Sequence, residues 1–483
     1  MSKSIADAVF STTSNERNRV VLITDEMEIT LGQLQELSHA FAVRMRERGV
    51  DGTSTVAINS FDVVVVLASF LAASIIGCRW VIADQKLAQE KPVAPTHFFR
   101  SPEAAGSGLA KFETLDPSWS PVAVKHAGIF ANRPFGEVDS RAGWIITKTS
   151  GTTGRPKFLE LSQENMLIRA EAVDDVFTKD TVFATLFECF TFPFITRALA
   201  CLVNQSVMVV SPHIETWKTQ GVNHVFASPA QATSFFSEQN DIGKMPLLQL
   251  AGAKLTDQVA SQMLEYFDRI EDIYASTESN RTYVNMVEKN DEGQITTVGR
   301  KRDSEVEIIS ESGQNCGLFE AGTVRVRNGY LADSYLNNPE ASSCAFAEGW
   351  FYPGDRGYWG QNNELIISGR VDELINFGGI KFDPTVADTL LRSVDGVADA
   401  LCFANPRPDF EQQLIALLVL KEGADKSAAI TDAKALSEEK LGLLIAPKKY
   451  FVVDRLPTDS SGKHQRKLAY ELAKERIEAN ETL

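Results

Sequence analysis

The chain is poor in the residues that build metal sites and disulfide scaffolds. Its six cysteines, Cys78, Cys189, Cys201, Cys316, Cys344 and Cys402, are scattered with no Cys-x-x-Cys pair. That argues against zinc and against a disulfide framework, and leaves buried free thiols as the expectation. The six histidines show no metal-ligand spacing either, and His97 and His224, beside apolar residues, read as packed side chains. Basic charge is in deficit: 48 Lys and Arg stand against 64 Asp and Glu, a formal net charge of −16. A nucleic-acid partner calls for a basic face, so that class is set aside; a locally basic pocket for a small anion remains compatible. Long apolar runs are also missing. Val63–Cys78 is uncharged for 16 residues, short of the ~20 that cross a bilayer. It reads as a buried helix stopped near Gly77, followed by a strand from Trp80 to Ala83. Met1–Phe10 carries Asp7 and no long apolar stretch, unlike a signal peptide, so a cytoplasmic protein is expected.

At 483 residues the chain exceeds one core, and two or more domains are expected. With 44% hydrophobic and 23% charged residues it has the composition of a globular protein. Thr30–Arg48 carries Leu31, Leu34, Leu37, Phe41 and Met45 at three- and four-residue spacing, an amphipathic helix with Thr30 as its N-cap. Ser162–Phe177 predicts another helix. Trp144–Thr147, Ser206–Val210, His224–Ala227 and Leu247–Ala251 read as short buried strands. This alternation predicts an α/β architecture with mostly parallel sheets. From about Val298 the texture changes to short β-like runs, Val306–Ile309, Val324–Val326 and Leu365–Ser368, between glycine-bearing turns. Beyond Gly369–Asp372 come further strands, Ala400–Phe403 and Leu414–Leu420, with helices. The tail from Lys467 reads as a charged helix with a solvated face.

The most informative stretch is Lys148-Thr149-Ser150-Gly151-Thr152-Thr153-Gly154-Arg155-Pro156-Lys157, directly after an apolar strand. Glycines let the backbone approach a ligand, amides and hydroxyls offer donors to phosphate oxygens, and Lys157 adds positive charge. Nucleotide triphosphate binding is implied. The spacing is not that of a Walker A loop, since Gly151 and Gly154 are too close and Lys157 precedes Phe158.

Five stretches, in order, carry a family likeness. That loop resembles the phosphate-binding loop of the acyl-adenylate-forming superfamily, which includes acyl-CoA synthetases, nonribosomal-peptide adenylation domains and luciferases. Tyr274-Ala275-Ser276-Thr277-Glu278 resembles the family's Tyr-Gly-x-Thr-Glu, and Trp350 to Asp355 its Trp-x-x-Thr-Gly-Asp. Ser368 to Gly379 resembles Gly-Arg-x-Asp-x-x-Ile-x-x-Gly-Gly, and Pro457 to Lys463 the C-terminal Pro-x-x-x-x-Gly-Lys. The resemblance implies a large N-terminal domain of α/β subdomains plus a β-rich subdomain, residues 1–371. A small mobile α+β C-terminal domain, 372–483, would follow, hinged near Asp372.

The same resemblance implies the chemistry. A carboxylic acid attacks the α-phosphate of ATP, pyrophosphate leaves, and a thiol then displaces AMP. The thiol would be coenzyme A or the phosphopantetheine of a separate carrier protein, with an amine acceptor as a further alternative. Lys463 is expected to bridge the acid's carboxylate and the α-phosphate, with Arg466 and Lys467 as neighbours that miss the motif. Thr277 is expected on the α-phosphate and Glu278 on Mg²⁺. Tyr274 offers a face to adenine or packs in the core. Thr149, Ser150, Gly151, Thr152, Thr153, Gly154 and Lys157 are expected on the phosphates. Asp355 is expected on the ribose, Arg370 on ribose or phosphate, and Gly252-Ala253 beside adenine. Gly378-Gly379 would serve the thiol step. Three departures stand out: Ala275 for glycine, Pro353 for threonine or serine, and Gln163 in Leu161 to Asn165 where many relatives have histidine. No carrier-attachment motif follows Lys463, so no fused carrier is expected. A non-catalytic relative would have lost the lysine or the carboxylate, and both are present. The acid itself is not legible. Phe187, Phe190, Phe192 and Phe194, Ala227-Ser228-Pro229 and the residues near Ala251 are candidates to line its pocket, and the phenylalanines read equally as packing.

Overall fold

The computed structural model describes residues 3–11, 16–83, 87, 90–104, 113–115, 138–149, 157–239, 242–377, 380–405, 412–458 and 464–478. Its largest sheet has nine strands: β1 (Val20–Thr24), β2 (Glu28–Thr30), β3 (Val182–Thr185), β4 (Val207–Val210), β5 (His224–Ala227), β6 (Met245–Ala251), β7 (Phe267–Ser276), β8 (Asn280–Lys289) and β9 (Ile295–Lys301). Their order is β9-β8-β7-β6-β5-β3-β4-β1-β2. The six from β7 to β1 run parallel, and β2, β8 and β9 are antiparallel at the edges. Alternate side chains along a strand point to opposite faces. Leu248 and Leu250 therefore join the core with Val225 and Ile270 on one face, whereas Phe183, Phe226, Ala251 and Ile273 join the larger core on the other. Both faces are buried, as parallel sheets require.

A second, six-stranded sheet runs in the order 113–114, 97–100, 55–59, 79–82, 143–149, 157–162, parallel but for its last pair. The helix Leu31–Glu47 starts as its sequence predicts: Thr30 and Gln33 form a reciprocal capping box. Val63–Ile76 is buried along nearly its whole surface, which explains its lack of a polar face. Asp62 caps its start and Gly77 ends it at φ 78°. The next helix is shorter than its sequence implies. Ser162 caps Gln163–Glu171, and the chain leaves the helix before Phe177. The reason is tertiary: the Ala172 carbonyl accepts from Arg281 Nη2 at 2.8 Å, and Asp175 pairs with Arg281 and Arg302.

The β-rich segment forms a six-stranded antiparallel sheet between Ser304 and Arg370. After it come the hairpin Ile375–Phe377/Ile380–Phe382 and a three-stranded sheet, Val397–Asn405, Gln413–Leu420 and Lys449–Val452. Residues from Ile375 onward pack into two cores of their own, one on each face of that last sheet. The terminal helix, Arg466–Glu478, corrects the reading of a merely solvated tail. Ala469, Ala473 and Ile477 recur every four residues and pack against Leu401, Phe403 and Phe451. Among the described residues no helix is long and apolar enough to cross a membrane.

Candidate active site

The polar motifs gather at the carboxyl ends of β6 and β7, the edge where open α/β sheets bind ligands. β7 and β8 form a hairpin whose turn is Thr277-Glu278-Ser279. Asn280 closes it at φ 57°, and the Ser279 amide donates to Ser276 Oγ at 3.1 Å. The turn is fixed from below by Arg169. Its guanidinium donates to the carbonyls of Thr277 (2.8 Å), Glu278 (2.9 Å) and Tyr330 (2.9 and 3.1 Å). Burial lowers the Arg169 pKa to about 10, so it remains a cation near neutral pH. The Ala332 amide also donates to the Glu278 carbonyl.

Glu278 is buried, and its Oε1 accepts from the Tyr335 hydroxyl at 2.8 Å. Burial and the adjacent Glu278 push that phenol well above its usual range. Lys157 Nζ lies 4.7 Å from the centroid of the Tyr335 ring, a cation–π contact. A line Lys157–Tyr335–Glu278 thus connects the arm of the glycine-rich loop to the β7–β8 turn. Thr149, buried, and Lys157 are direct partners in the antiparallel pair that flanks the loop. Ser150, Gly151, Thr152, Thr153 and Gly154 lie outside the described residues.

A second cluster sits on the other side of Tyr274. Its hydroxyl donates to Asp355 Oδ2 at 2.5 Å, and Arg370 Nη1 donates to Asp355 Oδ1 at 2.9 Å. Burial and the aspartate raise the Tyr274 pKa well above the ordinary phenol value. For Arg370, burial opposes the charge, and Asp355 with Asp372 outweighs it, so its pKa is raised. Asp355 and Arg370 face each other across paired strands. Gly354 precedes them at φ 80°, and a Cβ there would lie 2.8 Å from Arg370 Nη2, so a side chain would strain the backbone and displace the guanidinium. Arg370 Nη1 also donates to the Pro353 carbonyl at 2.7 Å; proline keeps that oxygen, which is why this departure from the motif leaves the cluster intact. Asp372 lies in the short turn Val371–Glu373, with Oδ1 3.3 Å from Arg370 Nε. Gly252 (φ 93°) and Ala253 leave β6 exposed beside Tyr274, since Ala251 pairs with Ile273. Ala275 is exposed at an irregularity in the β7–β8 register, where its methyl is accommodated.

Gly378, Gly379, Gly462 and Lys463 lie outside the described residues. The flanks of the lysine loop pair with each other through Thr458 and His464, and the Gln465 amide donates to the Pro457 carbonyl at 2.8 Å. Arg466 is engaged in the C-terminal fold, donating to Asp388 (2.6 Å), Glu373 (2.8 Å) and the Cys402 carbonyl (2.5 Å). Lys467 is exposed.

Sequence reading missed Arg169 and Tyr335. For Arg169 a signal existed: it falls three residues after Met166 on the inward face of its helix, where an unpaired charge is costly. Gln163 is also explained. Its Oε1 accepts from the Ile5 amide (2.9 Å) and Ser74 Oγ (2.6 Å), joining three helices. Of the four phenylalanines, Phe194 is core, Phe192 is half-buried against that core, Phe190 is partly exposed against Phe61, and Phe187 packs on Phe226 at 4.8 Å. Ser228 caps the helix that begins at Pro229.

Among the described residues no three His, Cys, Asp or Glu side chains cluster to hold a metal. Magnesium bound with nucleotide takes one or two protein carboxylates and completes its shell with phosphate oxygens and water; the single buried carboxylate of Glu278 fits that demand.

Comparison with known proteins agrees with this geometry. Residues 104–336 match the AMP-binding enzyme family and residues 388–463 its AMP-binding enzyme C-terminal domain. A probable CoA ligase, CCL9 from Humulus lupulus, is 24% identical over 94% of this chain and 93% of its own length. An oxalate–CoA ligase from Arabidopsis thaliana is 26% identical over 68% of this chain and 66% of its own length. The fold is shared with ATP-bound MatB from Rhodopseudomonas palustris, at a TM-score of 0.82 and 19% identity over 99% of this chain and 100% of that one. Motif order, strand-end placement and both halves of the family match lead to one assignment: the chain belongs to the AMP-binding enzyme family.

Proposed function

We propose that the protein is an ATP-dependent acid–thiol ligase that forms an acyl-adenylate and passes the acyl group to coenzyme A. The observation that carries this reading is the line Lys157–Tyr335–Glu278, which joins the strand after the glycine-rich loop to the β-hairpin turn and its buried carboxylate. The acid's carboxylate oxygen bonds to the α-phosphorus, the bond to the β-phosphate oxygen breaks, and pyrophosphate leaves. A thiolate then attacks the acyl carbon and AMP leaves.

In this reading Thr277 presents its hydroxyl to the α-phosphate, and Asp355, preset by Tyr274 and Arg370, accepts the ribose hydroxyls. Lys157 and the loop Thr149 to Gly154 hold the terminal phosphates. Glu278 would hold Mg²⁺, which supplies neutralisation of the leaving pyrophosphate. Lys463 bridges the two anions that must meet. Each such preorganised charge contact is worth on the order of 10²–10³ in rate. Asp372 serves as the hinge about which residues 372–483 turn between the adenylation and thiol steps, bringing Gly378-Gly379 toward the thiol. A separate carrier protein or an amine is the alternative acceptor. The names of the relatives carry a small acid in one case, oxalate, and none in the other.

Pyrophosphate release with Mg-ATP and an acid, with and without coenzyme A, tests the reading. Acid-dependent release accelerated by coenzyme A is the expected result; release indifferent to coenzyme A moves the acceptor to a carrier or an amine.

A further inference from the structure

Below the ends of β5, β6 and β7, on the face of the nine-stranded sheet that carries Phe226 and Ile273, lies a polar cluster inside an otherwise apolar core. Phe226, Gln249 and Glu271 are direct partners across β5, β6 and β7, so they share one face, with His224 two residues before Phe226. Arg197, on the helix Phe192–Val203, lies over this row with its guanidinium carbon 4.6 Å from the Phe226 ring centroid. Arg197 is 4% exposed. It makes no hydrogen bond or ion pair with any described residue, and its Nε is enclosed with no partner.

Its neighbours do not satisfy it. Gln249 Nε2 donates to Glu271 Oε2 at 2.7 Å, which leaves Gln249 Oε1 unpaired. Glu271 faces Arg302 at 3.6 Å; Asp175 is shared by Arg302 (2.7 Å) and Arg281 (2.5 Å). Arg281, 2% exposed, keeps Nε and Nη1 unpaired. Both ring nitrogens of His224 are enclosed without a hydrogen bond, between the rings of Phe177 and Phe183. Burial lowers the pKa of His224 to about 3, so it adds no charge near neutrality. The five ionic groups here are three arginines and two carboxylates, one positive charge in excess. A buried charge is ordinarily paired, and a native structure with several orphaned donors in one place calls for an occupant.

We propose that this cluster is the far end of the acid-binding pocket, and that Arg197, supported by the unpaired Nε and Nη1 of Arg281, receives a second anionic group on the substrate. The substrate is then a short dianionic acid, a dicarboxylate or a sulfonated carboxylate, with one carboxylate at Thr277 and the other anion at Arg197. Gln249 lies two residues before the end of β6 and Glu271 three before Tyr274. At about 3.3 Å per residue that places the floor ~7–10 Å below the site, which limits the acid to a short one. Planar guanidinium is suited to a carboxylate or sulfonate in a buried setting. Phe187 packs on Phe226 beside this row, with ring centroids 4.8 Å apart.

This inference rests on the ligase reading, and the test separates the two. Pyrophosphate release is measured with matched acids: propanoate, butanoate and benzoate against oxalate, malonate, succinate and sulfoacetate. The expected result is a preference in kcat/KM for one or more dianions on the order of 10⁴ over the matched monoanion, as for sites built around a buried polar partner. The carboxylate and sulfonate arms tell which anion is held. Arg197→Met is expected to lower that preference at least tenfold, chiefly through KM, with partial recovery in Arg197→Lys. Monoanions turned over as well as or better than every dianion overturn the inference while leaving the ligase reading in place, whether or not either variant folds. Absence of release with every acid of both sets, together with ATP binding that Glu278→Gln and Asp355→Ala leave unchanged, overturns both.

Discussion

Arg169 offers the sharpest separation of position from chemistry. It touches neither nucleotide nor acid in the proposed reading, yet its fork spans the carbonyls of residues 277, 278 and 330. In Arg169→Lys the charge stays, but a single ammonium cannot reproduce three fixed directions. The Glu278 carbonyl keeps the Ala332 amide, and the Tyr330 carbonyl keeps Asn165 Nδ2 at 3.2 Å. The Thr277 oxygen is the contact put at risk. Leaving one buried acceptor unmet costs about 1–3 kcal/mol, so the unfolding free energy should fall by that amount, read as a lower denaturant midpoint at unchanged slope. The turn carries Thr277 and Glu278, and a displacement of about 1 Å can cost on the order of 10² in rate. Pyrophosphate release should therefore drop at least tenfold at saturating acid, with KM for Mg-ATP raised. Stability within about 0.5 kcal/mol of wild type, together with unchanged kcat and KM, would refute the claim that Arg169 holds the turn.

Three further outcomes follow from the same geometry. Gly354→Ala meets both φ 80° and Arg370 Nη2 at 2.8 Å; a loss of about 1–3 kcal/mol and a higher KM for ATP are expected in denaturation and steady-state assays. His224, held at about 3 when folded against ~6.5 when unfolded, binds a proton only in the unfolded chain between those values. Stability is thus fully present above about pH 6.5 and falls by about 1.4 kcal/mol per unit below it. Burial raises Asp272 to about 6 and tilts the curve the opposite way, so the readout is wild type minus His224→Leu in urea midpoints from pH 7.5 to 5. A difference independent of pH would contradict it. Lys463→Ala should lower acid-dependent pyrophosphate release on the order of 10²–10³-fold with no change in melting temperature; wild-type rates in that variant would remove the lysine from the mechanism.

Local signals made much of the fold legible. Thr30 with Gln33, the apolar spacing behind them, and Gly77 after an uncharged run each act within a few residues, so the helices they bound appear where expected. Alternation of short apolar strands with helices announced the parallel sheets. The elements that were misread depend on distant partners. The helix after Ser162 stops early because Arg281, over a hundred residues away, takes its Ala172 carbonyl. The last helix packs one face through two alanines and an isoleucine, too small a stripe to stand out among its charges. The site divides in the same way. Motif residues, including Tyr274, Glu278 and Asp355, were visible through their resemblance to the family's motifs. Arg169, Tyr335 and Arg197 were not, because what singles them out is burial and the partners they have or lack across the sheet. Pro353 looked like a defect in sequence and is harmless in structure, since its carbonyl is the atom in use.

The most direct test of the central claim is pyrophosphate release by the purified protein with Mg-ATP across a panel of carboxylic acids, with and without coenzyme A. Release that depends on a particular acid, rises with coenzyme A and yields the acyl-CoA is the predicted result. Absence of release with every acid, together with ATP binding that Glu278→Gln and Asp355→Ala leave unchanged, would contradict it.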